Sequence, residues 1–249
     1  MSEPTFRVMT YNVHSCIGSD RKASPLRTAE VIRQHSPDIV ALQELDAGQE
    51  RSGAQFQAHV IAQSLNMTYR FHPSDIVGGG EYGNAILSRF PIRLVKAGDL
   101  PGYVYSGRVP EKRGALWVEV YLADRGVQVV TTHLGLTRRE RLVQAHALLG
   151  PQWFNHPECR CPLVITGDFN ALPCSQVYRL FRRVLRDIQC HGGNGNRPRS
   201  TWPSRCPVFR IDHVFVTPDI VVHGVRVPRT RLERTASDHL PLVADLGFL

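Results

Sequence analysis

The feature that most constrains this chain is a succession of short apolar runs that each meet a polar or ionisable residue at one end. "TFRVMTYN" (5–12) closes on Asn12 and "DIVALQE" (38–44) on Glu44. "VQVVTTHL" (127–134) carries His133 near its end, and "PLVITGDFN" (162–170) ends in Asp168 and Asn170. "RIDHVFVT" (210–217) holds Asp212 at its start, and "HLPLVADL" (239–246) opens on His239, directly after Asp238. "NAILSRF" (84–90) and "ALWVEVYL" (115–122) are further runs of the same length. Some alternate apolar and polar residues, as a half-covered strand does. Others are continuously apolar, as in a sheet covered on both faces. A single acid at a strand end is an ordinary loop cap. So many carboxylates, imidazoles and carboxamides near a core each cost several kcal/mol unless they pair or hold a metal.

Helices are fewer. Ser24-Pro25 opens one, with serine as N-cap, proline at the first helical position and Leu26, Ala29 and Ile32 on the inner face. Phe56, Val60 and Ile61 suggest a second, ending near Asn66. Thr137 and Glu140 form a capping box for a third, with Leu142, Ala145, Leu148 and Leu149 as its stripe and Gly150-Pro151 as its stop. A fourth is expected over about 175–184, and 191–207 reads as a long Gly-, Pro- and Arg-rich loop. The expectation is one α/β domain over residues 1–249, with no repeat or linker.

Composition narrows the partners. Thirty Lys and Arg against twenty-two Asp and Glu give a net charge of +8, which favours anionic partners such as nucleic acid or acidic lipid headgroups. Six cysteines without a C-x-x-C pair, and a start without a basic-then-apolar leader, read as a reduced, cytoplasmic protein, expected to be a monomer. "HPECRC" (His156, Cys159, Cys161) has no zinc-site spacing and reads as a surface loop. No apolar run approaches the ~18 residues of a membrane helix. "GGGEYG" (78–83) matches a dinucleotide-binding pattern, but a strand follows it instead of a helix, so it reads as a loop at a cleft rim. Ser237, Asp238 and His239 are consecutive and cannot converge as a nucleophilic triad.

The strand-end inventory suits a hard divalent cation, because carboxylate and amide oxygens are what Mg²⁺ or Mn²⁺ prefers. Metal, carboxylate base and histidine together supply what phosphate ester hydrolysis needs: an aimed water, a base, and positive charge on the developing oxygens. In an extended segment residues i and i+2 share a face, so Asp168 and Asn170 are expected to face one way while Phe169 turns into the core and Gly167 gives the turn.

"TYNVH", "LQE", "GNAILSRFP", "THL", "GDFNALP", "IDHVFV" and "SDHLPL", in this order, resemble the endonuclease/exonuclease/phosphatase superfamily, also called DNase I-like, over residues 6–246. The resemblance implies a four-layer α-β-β-α sandwich, with two mixed β-sheets packed face to face, helices outside and the site at one sheet edge. It implies Glu44 as the principal metal ligand, assisted by Asn12 and Asp238. Asp168 would orient or deprotonate the attacking water, and Asn170 would contact the scissile phosphate. His239 would stabilise the transition state, oriented by Asp212, and His133 would contact the phosphate or assist the leaving group. Arg113 is a candidate phosphate contact, and Tyr82 and Asn84 would line the cleft. Trp202, interleaved with arginines in "RPRSTWPSR" (197–205), could stack on a base or dip into a lipid interface. The expected activity is a Mg²⁺-dependent, DNase-like nuclease. The alternative is a phospholipid- or sphingolipid-headgroup phosphodiesterase, or an inositol-phosphate phosphatase, using the same chemistry.

Overall fold

The computed structural model describes residues 5–103, 111–122, 125–160, 162–191 and 197–249. The elements run β1 (Thr5–Asn12), α1 (Pro25–His35), β2 (Ile39–Ala47), α2 (Gln57–Leu65), β3 (Thr68–Val77), β4 (Gly80–Ser88), β5 (Ile92–Leu100), β6 (Arg113–Leu122) and β7 (Arg125–His133). They continue α3 (Arg138–Leu148), β8 (Leu163–Asp168), α4 (Gln176–Arg182), β9 (Arg186–Asp187), α5 (Ile188–His191), β10 (Asp212–Val216), β11 (Ile220–Arg226), α6 (Arg231–Ala236) and β12 (Leu242–Phe248). Two six-stranded mixed sheets result, ordered β11-β12-β1-β2-β4-β3 and β5-β6-β7-β8-β10-β9.

The continuous apolar runs follow from burial on both faces. Ile39 of β2 points between the sheets, with Val8, Ile86, Val118, Val129, Val164 and Val214, whereas its neighbour Val40 points out to the helices. On that outer face Met9, Val40 and Leu42 pack against Ala29 and Ile32 of α1 and Ile61 and Ala62 of α2. The second sheet repeats the alternation, with Val129 and Val164 inward and Val130 and Ile165 outward, against Ala145 and Leu148 of α3 and Phe181 of α4. Each fully buried side chain of this kind contributes about 1.5–3 kcal/mol. The layers are therefore helices, sheet, sheet, helices, the α-β-β-α sandwich the sequence led us to expect.

Each sheet contains one parallel pair, β1 with β2 and β7 with β8, and α1 and α3 are the connections between their strands. Because the strands of each pair run parallel, both end at the same edge. Asn12 and Asp168 end β1 and β8, and a hydrogen bond of 3.0 Å between them shows that the two sheets meet at these ends. The antiparallel strands β4, β6, β10 and β12 begin at the same edge.

Two helix readings shift. Leu26 lies at the second position of α1 and is exposed; Pro25, Thr28, Ala29, Val31 and Ile32 form the buried face. Phe56 caps α2 instead of lining it, so the buried face is Gln57, Ala58, Ile61 and Ala62. The Ser24 cap and the Thr137–Glu140 capping box form as expected, with Ala145 and Leu148 buried and Leu142 and Leu149 at the margin. Gly78 and Gly79 make the two-residue turn between β3 and β4, both with positive φ (55° and 80°), which is why glycine occupies both positions. Of "HPECRC", His156 packs edge-on against Trp117 and Cys159 is half-buried; Cys161 lies outside the described residues, as do 192–196 of the long loop. Among the described residues no helix is long and apolar enough to cross a membrane.

Candidate active site

Local backbone devices aim the strand-end side chains. Pairing of β2 with β4 shifts register between Leu42 and Leu45, and Glu44 inside this bulge takes φ 61°. A left-handed glutamate costs about 1–3 kcal/mol and persists only where the surroundings hold it. At β8, Gly167 takes φ 140°, and a Cβ there would lie 1.9 Å from the Thr132 carbonyl oxygen of β7. Glycine is therefore obligatory. Beyond it Asp168 and Asn170 do face the same cleft, but not as i and i+2 of an extended strand. Asn170 is left-handed (φ 47°), and its backbone N–H donates to Asp168 Oδ1 at 2.8 Å, so a tight turn brings the two together. Phe169 between them is fully buried, edge-on to Phe181, His213 and Phe215.

The side chains converge on Asp168. Asn12 Nδ2 donates to Glu44 Oε1 at 2.8 Å and to Asp168 Oδ2 at 3.0 Å, while its Oδ1 accepts the His14 N–H. His133 Nε2 lies 3.5 Å from Asp168 Oδ2 and 3.0 Å from Asn170 Nδ2. On the other side His239 Nε2 lies 3.7 Å from the same Asp168 oxygen, and its Nδ1 donates to Asp212 Oδ2 at 2.9 Å. Thr201 Oγ1 donates to that Asp212 oxygen as well. Two groups of three thus share Asp168: Glu44–His133–Asp168 and Asp168–Asp212–His239.

The two histidines are in opposite states. Burial and the Arg113 guanidinium hold His133 well below the usual imidazole range. Arg113 Nη1 donates to His133 Nδ1 at 2.9 Å, and arginine has no acceptor, so the neutral ring carries its proton on Nε2, facing the Asp168 carboxylate, while Asn170 Nδ2 donates to the Leu134 carbonyl. Burial would also push His239 down, but Asp212 and Asp168 outweigh it and hold the imidazolium up to about 10. Burial, with Asp212 beside it, lifts Asp168 to about 7.

Asp238 stands apart from both groups. Its Oδ1 pairs with His14 Nδ1 at 3.0 Å and its Oδ2 accepts from Trp202 Nε1 at 3.1 Å. Burial opposes ionisation, but the His14 hydrogen bond and His239 hold the carboxyl down to about 2. Trp202 is half-buried, tilted against Phe209 at 5.7 Å, so its indole organises Asp238 and is not an open stacking face. Arg113 is buried, not a surface arginine, and spans His133 and Glu111. Asn84 is buried and donates to the Gly114 carbonyl, tying the sheets together below the cleft. Tyr82 does line the cleft, a hollow of about 350 Å³ bounded also by His14, Ile17, Glu44, Arg51 and Glu111. Among these His14, Arg51 and Glu111 went unread in the sequence. His14 follows Asn12 by two positions in "TYNVH" and was within reach of the motif reading. Arg51 was not, because its place depends on a loop that folds back onto buried Asp46.

His213, beneath the site, gives a pH test. Burial holds it down to about 4, with Arg210 adding to the effect, and its Nε2–H donates to the Ala171 carbonyl at 2.7 Å. The unfolded chain takes up this proton near pH 6.5 and the folded chain does not, so His213 supplies stability above 6.5 that is lost as pH falls towards 4. Between pH 6.5 and 5 the wild type should lose about 2 kcal/mol relative to His213→Gln. Urea unfolding at both pH values checks this, and parallel pH profiles for the two proteins would refute it.

The donor chemistry fits a hard divalent cation: carboxylate oxygens of Glu44 and Asp168 lie within 4.8 Å of one another, and Glu44 is reachable from the cleft. A buried carboxylate flanked by a neutral and a charged imidazole, at the shared edge of a two-sheet sandwich, supplies the base and the charge that phosphoric ester hydrolysis needs. The profile of the Endonuclease/Exonuclease/phosphatase family matches residues 9–239, and the chain belongs to that family. It is similar to the uncharacterized protein YbhP of Escherichia coli K12, 27% identical over 97% of this chain and 96% of that one. In fold it is similar to a mannosyl-6-phosphatase of Bacteroides thetaiotaomicron, with TM-score 0.77 and 22% identity over 98% of this chain and all (100%) of that one. The human Nocturnin catalytic domain with bound sulfate gives TM-score 0.74 and 23% identity over 99% of this chain and 94% of that one.

Proposed function

We propose that the protein is a Mg²⁺-dependent phosphodiester hydrolase, with Mn²⁺ as a substitute metal. The observation that carries this reading is the sharing of Asp168 between the Glu44–His133 side and the Asp212–His239 side. Glu44 would hold the cation, assisted by Asn12, which ties Glu44 to Asp168, and by Asp238, which His14 and Trp202 hold in place. When bound, the metal supplies positive charge to the phosphoryl oxygens. Asp168 orients and deprotonates the attacking water. His239, kept cationic by Asp212, stabilises charge on the transition state. The Nε2 proton of neutral His133 is aimed at the phosphate or the leaving oxygen, and Asn170 completes the phosphate contact. Arg113 acts through His133, fixing its tautomer. Tyr82 borders the substrate, whereas Asn84 and Trp202 hold the parts that do.

The nuclease reading is supported by the net charge of +8. The headgroup reading is supported by exposed Leu136 and Leu172, which flank His133 and Asn170 and offer nothing to a phosphate backbone. A panel of plasmid, single-stranded DNA, phospholipid vesicles and bis-p-nitrophenyl phosphate, with and without chelator, tests the proposal. No chelator-sensitive turnover above a Glu44→Ala control on any of them would overturn it. The part played by Asp238 is tested by Trp202→Phe, which removes its indole donor. The Mg²⁺ concentration for half-maximal rate should rise about 10- to 100-fold; an unchanged metal dependence would take Asp238 out of the ligand set.

A further inference from the structure

The large apolar side chains that the described surface exposes are divided unevenly between the two ends of the sheets. Leu26 and Phe56 lie in the connections that follow β1 and β2, and Ile76 lies beside the β3–β4 turn. Leu136 and Leu172 follow β7 and β8, and Val208 and Phe209 precede β10. All of these connections leave the sheets at the catalytic edge. Leu94, Tyr121, Val184 and Leu249 lie elsewhere, towards the opposite ends of their strands. Ile76 and Leu136 are the most open of the catalytic-edge set, 75% and 70% exposed. Isolated apolar side chains are ordinary on a surface; their gathering in the connections of one sheet edge, beside a polar cleft, is not.

Basic residues stand in the same connections. Arg21 and Lys22 precede Leu26, Arg138 follows Leu136, Arg199 precedes the Trp202–Phe209 segment and Arg205 lies within it, all exposed. Of the exposed acids there, Asp20 and Glu111 lie against Arg27 and Arg113, which leaves Glu50 and Asp99, the latter beside a His72 that burial keeps from charging, among the described residues.

We infer that this edge docks onto an anionic lipid surface, with the leucine, isoleucine, valine and phenylalanine side chains entering the interface and the arginines meeting the headgroups. The inference rests on the headgroup reading of the same site. Apolar side chains carried singly on separate loops gain by leaving water for an acyl boundary, and interspersed bases add attraction to anionic lipid. A nucleic acid would use the bases and leave the apolar side chains in water. The cleft lies at the same edge, so docking presents it to headgroups at the membrane plane.

Flotation with phosphatidylcholine vesicles, with and without a third of phosphatidylglycerol, tests this independently of catalysis. The full chain should float with the anionic vesicles. Combining Ile76→Gln, Leu136→Gln and Val208→Gln should weaken binding at least about tenfold, as should Arg138→Gln with Arg205→Gln. Both variants should hydrolyse bis-p-nitrophenyl phosphate at the wild-type rate and melt at the wild-type temperature. Wild-type binding to neither vesicle, or binding untouched by the apolar replacements, overturns the inference. Retention of a single-stranded oligonucleotide with no vesicle binding overturns it in favour of nucleic acid. Flotation without any esterase activity would leave docking standing and reject the proposed function instead.

Discussion

Asp168→Asn should lower kcat at least ~10²-fold while the protein remains folded, the scale of losing a general base. Asn fills the same volume and its carbonyl can still accept the Asn170 N–H. The change also removes a buried carboxyl that its surroundings already push up to about 7. The new amide nitrogen would face the Asn12 Nδ2 donor, a local conflict that costs about 1–3 kcal/mol, offset in part by the relief of burying less charge. Stability therefore moves little while the water loses its base. His239→Ala should slow turnover on the same scale, by removing the positive charge held beside Asp168. Steady-state kinetics on bis-p-nitrophenyl phosphate, with thermal melting by circular dichroism, provide the check. A rate within about fivefold of wild type for Asp168→Asn would remove Asp168 from the role of base.

Gly167→Ala should act through the fold itself. The added methyl would collide with the Thr132 carbonyl, a backbone atom of the adjacent strand, at a φ that L residues rarely adopt. Neither strand can yield without opening the parallel pairing of β7 with β8 where His133 meets Asp168. A loss above about 4 kcal/mol is expected, corresponding to a Tm lower by roughly 10 °C or to a failure to accumulate folded protein. Gly53→Ala is the matched control: its φ is also positive, 80°, but nothing lies within 4 Å of the new methyl, so about 1 kcal/mol is expected. Equal melting temperatures for the two variants would show that strand proximity is not what fixes Gly167.

The strands were legible because burial on both faces removes the ambiguity of alternation. Ile39–Val40 and Val164–Ile165 must both be apolar when one faces the other sheet and the next a helix. The roles of Glu44, Asp168 and His239 came from the resemblance, and the residues themselves supplied only the inventory. Backbone irregularity was not legible. The left-handed Glu44 and Asn170 break the regular strand on which the shared-face argument for Asp168 and Asn170 depended. Helix phase was misread at Phe56, which caps α2, and at Leu26, which the correctly placed start of α1 leaves on its outer face. Exposure could not be read for Arg113 and Trp202, because the partners that bury them, His133 and Asp238, are distant in the chain.

The hydrogen bond from Asn12 to Asp168 joins strands of different sheets, and the rest of the cluster is divided in the same way. Glu44 and His239 belong to the first sheet's side, and His133, Asp168, Asn170 and Asp212 to the second's. The proposed catalytic constellation is thus a vernier for the alignment of two slabs. A slip of about 1 Å between them would pull the halves out of reaction geometry while every strand and helix stayed intact. Thinning the layer between the slabs, at Val118 or Val164 for example, is expected to cost rate at temperatures well below the melting transition.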